Sequence, residues 1–227
     1  MIRVELINKE EVKNLFLNWG TFACTCYNTD LKFAEKVGKK CFKDGHYSGS
    51  RCEYIKFSIS GISRACSLQL NRHSVGVVLN QTSQRYVDMN ETEFVIPPTI
   101  QADQHSLQAF YELINHSKDT YNFIQQRLIE KGYTKEQANQ DARFSLLESC
   151  NTSGVWAFTI EALIHFMHKR LCARSQWEIR KLAKLIRSEV IEVLPELSEE
   201  LVPHCEYLTW CPESKSCGAF PKKISKK

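Results

Sequence analysis

The chain has 227 residues, 43% of them hydrophobic and 25% charged, with a formal net charge of +4. That composition suits one large domain, long enough to bury a core without a covalent staple. No run of about 18 apolar residues occurs, which excludes a membrane-spanning helix, and the basic end (Lys222, Lys223, Lys226, Lys227) reads as a solvated tail rather than a nucleic-acid arm.

The start, MIRVELINKEEV, carries charges where a secretion signal has its apolar core. A cytoplasmic setting is expected, with the ten cysteines mostly reduced. Residues 2–7 alternate as a first strand, and residues 31–42 read as a helix ended by Gly45. Residues 54–60 (YIKFSIS) have the period of a half-buried strand, broken by Gly61, after which Ser63 caps a helix through SRACSLQLNRH. A polar loop lies around residues 80–85, and Pro97 and Pro98 end another extended stretch. Asp103 opens a long helix to about Lys131, stopped by Gly132. Thr134 and Gln137 form a capping box for the next helix, which is read as carrying Arg143. Residues 155–160 resemble a strand. From Glu161 to about Val193 apolar positions fall near helical spacing in one run, ended by Pro195. Strands gather in the first half and helices in the second, so an α+β fold is expected in a single domain, with a Cys-rich tail at residues 203–227. No Gly-x-Gly-x-x-Gly follows a strand, which argues against a Rossmann cofactor site.

The segment QLNRHSVGVVLNQTSQRY, residues 69–86, places Arg72, His73, Asn80, Gln81, Ser83 and Arg85 in one turn-rich region. Guanidinium forks pair with phosphate oxygens, and amides offer matched donors and acceptors to a planar base. A solvated loop whose arginines pair with carboxylates fits the same residues.

This segment resembles the signature of the flavin-dependent thymidylate synthases, Arg-His-Arg, a spacer, then Ser-x-Arg. Here it stands as Arg72-His73-Ser74, VGVVLNQT and Ser83-Gln84-Arg85. Residues 57–73 resemble the strand and helix before that signature, and GHYS at 45–48 its glycine, histidine and hydroxyl near the flavin. Downstream, DARFSLL (141–147) and HFMHKRLCARSQWEIRKLA (165–183) are similar to two further blocks in the family's order. The resemblance implies an antiparallel sheet with flanking helices. It also implies conversion of dUMP to dTMP, with FAD as cofactor and NADPH and methylenetetrahydrofolate as co-substrates, in a homotetramer whose subunits share active sites.

Carried over by position, the resemblance makes Gln69, Gln81, Ser83, Arg85, Arg143 and Arg170 nucleotide-binding residues. It makes His46, Ser48, Arg72, His73 and His165 flavin-site residues. No enzyme nucleophile is implied: Ser83 is a positioning hydroxyl, and Cys66 reads as a buried structural thiol. The chain departs from the pattern at Ser74, in place of an arginine, and at Gln81, in place of a glutamate. Thr159 and Glu161 replace an asparagine and an arginine of the flavin site, and the spacer is one residue longer. These changes define the alternative: a divergent paralogue acting on a different pyrimidine nucleotide, or a nucleotide-binding protein without synthase activity.

Cys205, Cys211 and Cys217 stand five residues apart, and Cys172 could add a fourth thiolate to a structural zinc site. The spacing departs from the usual C-x2-C opening, so reduced thiols or a tail disulfide fit the same residues.

Overall fold

The computed structural model describes residues 1–223; residues 224–227, with Lys226 and Lys227, lie outside them. The elements run β1 (Arg3–Leu6), α1 (Lys9–Lys13), α2 (Leu15–Tyr27), α3 (Ala34–Lys43), β2 (Ile55–Ser63), α4 (Arg64–Leu70) and β3 (Val77–Gln81). They continue with α5 (Pro98–Gln101), α6 (Gln104–Glu130), α7 (Lys135–Ala142), β4 (Asn151–Phe158), α8 (Ile160–Arg170), α9 (Trp177–Val193) and α10 (His204–Leu208). The four strands form an antiparallel sheet in the order β1-β2-β4-β3 with helices flanking it, an α+β fold. Among the described residues no helix is long and apolar enough to cross a membrane.

Several boundaries follow from local chemistry. The Asp103 carboxylate accepts the Ser106 N–H at 2.8 Å and starts α6, and Gly132 (φ +89°) follows its end. Thr134 and Gln137 satisfy each other's backbone N–H groups in a complete capping box at α7. Arg143 falls in the 3-10 turn after α7 rather than on the helix.

Gly61 does not break β2. Its φ of +74° lets the strand continue where a Cβ would stand 2.2 Å from the Met1 carbonyl oxygen. Nor is the stretch from Glu161 to Val193 one helix. The Gln176 side chain accepts from the Glu178 and Ile179 N–H groups and starts α9 afresh, while Ser175 Oγ donates to the Lys169 carbonyl at 2.8 Å.

The chain divides into two compact units. The first comprises residues 1–2, 60–68 and 80–154; the second comprises 3–59, 69–79 and the chain from Val155 onward. Met89, Tyr121, Ala142 and Cys150 form a buried cluster in the first unit, against which Phe94, Ile124 and Leu146 pack. The Tyr121 hydroxyl and Gln125 Nε2 both donate to Asn139 Oδ1, so these three polar side chains are paired with one another inside the core.

In the second unit α2 and α3 approach closely because both present glycine at the crossing. A Cβ on Gly20 would lie 1.7 Å from the Ala34 carbonyl oxygen, and one on Gly38 would lie 1.9 Å from that of Phe16. Phe16, Trp19 and Phe42 then meet as an aromatic group, and Phe57, Phe158 and Phe166 form another. Each such side chain, once buried, contributes roughly 1.5–3 kcal/mol. Phe166 packs α8 against Phe158 of β4, and α8 carries groups described next.

Candidate functional site

A cavity of about 610 Å³ opens in the second unit, lined chiefly by Arg51, Arg72, His73, Ser74, Glu161 and His165. Three segments build it, the first being the 3-10 turn Tyr47–Cys52, which supplies Arg51, with Tyr54 just after it. The turn after α4 supplies Arg72, His73 and Ser74, and the first turns of α8 supply Glu161 and His165. Their junction is tight. Thr159 N–H donates to the Gly76 carbonyl at 2.8 Å, and a Cβ on Gly76 (φ +70°) would stand 2.5 Å from Thr159 Oγ1. Thr159 in turn caps α8, its Oγ1 accepting the Ala162 N–H at 3.3 Å. The cavity therefore faces a helix N-terminus, where the peptide dipoles favour an anion.

His73 is held by Arg170, whose Nε donates to His73 Nε2 at 2.9 Å while its Nη2 donates to the Gln69 carbonyl at 3.3 Å. An Nε2 that accepts leaves the ring proton on Nδ1. Burial, then the Arg170 charge and His165, push the His73 pKa down to about 4, so the imidazole is neutral at pH 7. The His165 ring stands edge-on to it at 6.0 Å. Two histidines far apart in sequence thus reach one cavity, together with Arg72.

Arg51 was not anticipated from the sequence. Its Nη2 and Nε lie 2.9 Å and 3.0 Å from Glu161 Oε2. Both side chains are well exposed, at 64% and 47%. The acidic residue that departs from the family pattern is thereby neutralised by a basic one, 110 positions away. No local pattern announces such a pair. His46 and Ser48 are exposed and are not among the residues lining this cavity; His46 Nδ1 lies 3.4 Å from the Tyr27 hydroxyl.

The first unit holds the remaining motif residues. Gln81, at the end of β3, donates through Nε2 to Ser67 Oγ at 2.9 Å and to Thr152 Oγ1 at 3.0 Å. That amide is an ordered part of the sheet rather than a loop group. Ser83 Oγ accepts the Arg85 N–H at 3.2 Å, and the Arg85 carbonyl accepts from Asn139, leaving the guanidinium exposed beside the Tyr86 ring. Arg143 is half-buried near Arg64, a second cation missed from sequence. Burial foremost, and the Arg143 charge as a lesser cause, hold the Arg64 pKa below the usual guanidinium range. Two guanidiniums sharing a half-buried environment favour an anion beside them.

Cys172, Cys205, Cys211 and Cys217 do come together, lining a cavity of about 210 Å³ in the second unit. Of the readings the spacing left open, they stand as free thiols rather than as a zinc site. Among the described residues no group of three or more His, Cys, Asp or Glu side chains stands in metal-ligating geometry. Cys217 is exposed, and Cys211 is engaged by Ser216 and the Glu213 backbone, which lower its pKa. Cys66 is wholly buried, as a structural thiol should be. In the tail, Lys222 Nζ donates to the Glu213 and Ser214 carbonyls instead of standing free in solvent.

Comparison with known proteins gives a consistent picture. The family model described as thymidylate synthase complementing protein matches residues 11–196. A flavin-dependent thymidylate synthase of Nitratidesulfovibrio vulgaris is 36% identical over 185 residues, covering 81% of this chain and 75% of the relative. One from Clostridium tetani is 34% identical over 204 residues, covering 84% and 81%. A crystal structure of thymidylate synthase X from Helicobacter pylori with FAD and dUMP has a like fold, with a TM-score of 0.59 at 18% identity. That likeness covers 89% of this chain and 99% of the other.

Proposed function

The chain belongs to the flavin-dependent thymidylate synthase family, and we propose that it converts dUMP to dTMP with FAD held in the 610 Å³ cavity of the second unit. The observation that carries this reading is the arrival of Arg72, His73 and His165 at that one cavity. Its size lies within the roughly 300–1,000 Å³ of cofactor sites. Its donor set also fits the group: guanidiniums and a helix N-terminus suit a diphosphate, and the neutral His73 imidazole suits a flavin's polar edge. When bound, FAD supplies the redox chemistry, and the protein supplies position and electrostatics.

His73, with its proton on Nδ1, acts as a fixed hydrogen-bond donor, and Arg170 keeps that tautomer in place. Arg72 offers its guanidinium to an anionic part of the ligand. In the second unit, Gln69 and Arg170 are assigned to the uracil nucleotide. In the first unit, Gln81, Ser83, Arg85 and Arg143 are assigned to the same class of ligand, Arg85 and Arg143 through their guanidinium forks. NADPH and methylenetetrahydrofolate are proposed as co-substrates, and a homotetramer in the cytoplasm as the working form.

A second reading, nucleotide binding without synthase activity, draws on a specific observation. Ser74, Thr159 and Glu161, three departures from the family pattern, all line the cavity. The visible spectrum of the purified protein, before and after FAD and then dUMP, separates the readings when followed by assay of dTMP with both co-substrates. Bound flavin that responds to dUMP and forms dTMP establishes the synthase. Uptake of dUMP with neither flavin bands nor dTMP establishes the second reading.

A further inference from the structure

Resting on the placement of FAD in the second unit's cavity, we infer that Arg51 is the cation that holds the cofactor's diphosphate, and that Glu161 is an internal competitor for it. At position 161, the family's flavin site would carry an arginine. Here the carboxylate stands in the first turn of α8, where the helix dipole favours a negative charge. It takes one guanidinium edge, Nε and Nη2, at 2.9–3.0 Å. A guanidinium thus stands in the cavity beside position 161, although it comes from position 51.

The energetics favour exchange. Both partners are well exposed, and an exposed ion pair contributes only about 0–1 kcal/mol. A diphosphate brings more charge and more acceptor oxygens to the same guanidinium, at a helix N-terminus that stabilises it further. Binding then replaces one weak pair by stronger charge-assisted bonds and releases Glu161 to solvent. Arg72, from the turn after α4, lines the same cavity and leaves Arg51 to take the ligand from the α8 side.

The test measures FAD dissociation constants by flavin fluorescence for the wild type and three variants. Glu161→Gln should bind FAD about fivefold more tightly, the worth of a released surface pair. Arg51→Gln should bind on the order of tenfold more weakly, the loss of a charged hydrogen bond. The charge-swapped double variant, Arg51→Glu with Glu161→Arg, should recover most of that loss, because the guanidinium returns to the same cavity from the other side of the pair. Circular dichroism of each variant checks that these exposed changes leave the fold intact.

Unaltered binding in Arg51→Gln, or weaker binding in Glu161→Gln, overturns the inference; the second result would show a pair that merely shapes the cavity. If the wild type takes up no FAD, the placement of FAD fails. The inference on Arg51 is then judged by calorimetry with inorganic diphosphate, where the same order (Glu161→Gln tightest, Arg51→Gln weakest) upholds it. Equal binding by all three overturns it.

Discussion

Arg170 donates its Nε–H to His73 Nε2 at 2.9 Å, and so couples the end of α8 to the turn that follows α4. An arginine cannot release its proton under ordinary conditions, so this bond fixes His73 as an acceptor at that nitrogen. The same guanidinium also charges the surroundings of the ring against a second proton.

Removing that charge should free the histidine. In Arg170→Gln the His73 pKa should rise from about 4, yet stay below the ordinary 6.5, because burial is the larger cause and remains. Histidine resonances followed by NMR across pH 3.5–8 would show it. A pKa that does not move would mean that the guanidinium has no hold on the ring.

The pH dependence of stability has a definite sign. The unfolded chain takes up the His73 proton from about pH 6.5 downward, whereas the folded chain resists until about pH 4. Stability should therefore be level above 6.5 and fall as pH drops from 6.5 toward 4, where the unfolded state binds more protons. His168, also pushed down to about 4 by burial foremost, adds a loss of the same sign. Urea midpoints measured at pH 7.5, 6 and 5 should decline in that order, and the decline should be smaller in His73→Asn.

The joint between Gly76 and Thr159 should tolerate no side chain. Gly76→Ala combines a left-handed backbone with a Cβ 2.5 Å from Thr159 Oγ1, and should cost about 2–4 kcal/mol. Gly45→Ala is the control. Its φ of +71° is similar but the space around it is open, so it should lose only the backbone part, about 1–2 kcal/mol. Denaturation of the two variants should differ. Equal losses would show that the Thr159 contact relaxes at no cost.

The crossing of α2 and α3 should prove the most sensitive point of the second unit. Gly20→Ala directs a Cβ to 1.7 Å from the Ala34 carbonyl oxygen, so the helices must part and loosen Phe16, Trp19 and Phe42. A loss of about 3 kcal/mol or more is expected from overpacking of this kind. A thermal midpoint within a degree or two of the wild type would contradict so close a crossing.

Features governed by a few neighbouring residues are legible in the sequence alone. Asp103 caps α6, Thr134 and Gln137 box α7, and Gly132 follows the end of α6, because capping is chemistry within one turn. Strand β3 is not legible. Its residues, VVLNQ, are mostly exposed and lack the buried alternation that marks a strand, so only pairing with β4 declares it. The gap between α8 and α9 is hidden for a related reason: it contains neither proline nor glycine, and the Gln176 cap works only once the chain has turned.

The order of the motif blocks, and with it the family, is written in the sequence, since each block is a run of residue types that needs no partner to be read. Which residues share a cavity is a different matter. His73 and His165, or Arg51 and Glu161, become neighbours only when α8 docks beside the turn after α4. Hydrogen bonds and charges act over a few ångströms of space, whatever the distance along the chain. The sequence by itself therefore determined the family to which the protein belongs. Tertiary structure decided that His73 is neutral, that Glu161 is answered by Arg51, and that the tail thiols meet without forming a metal site.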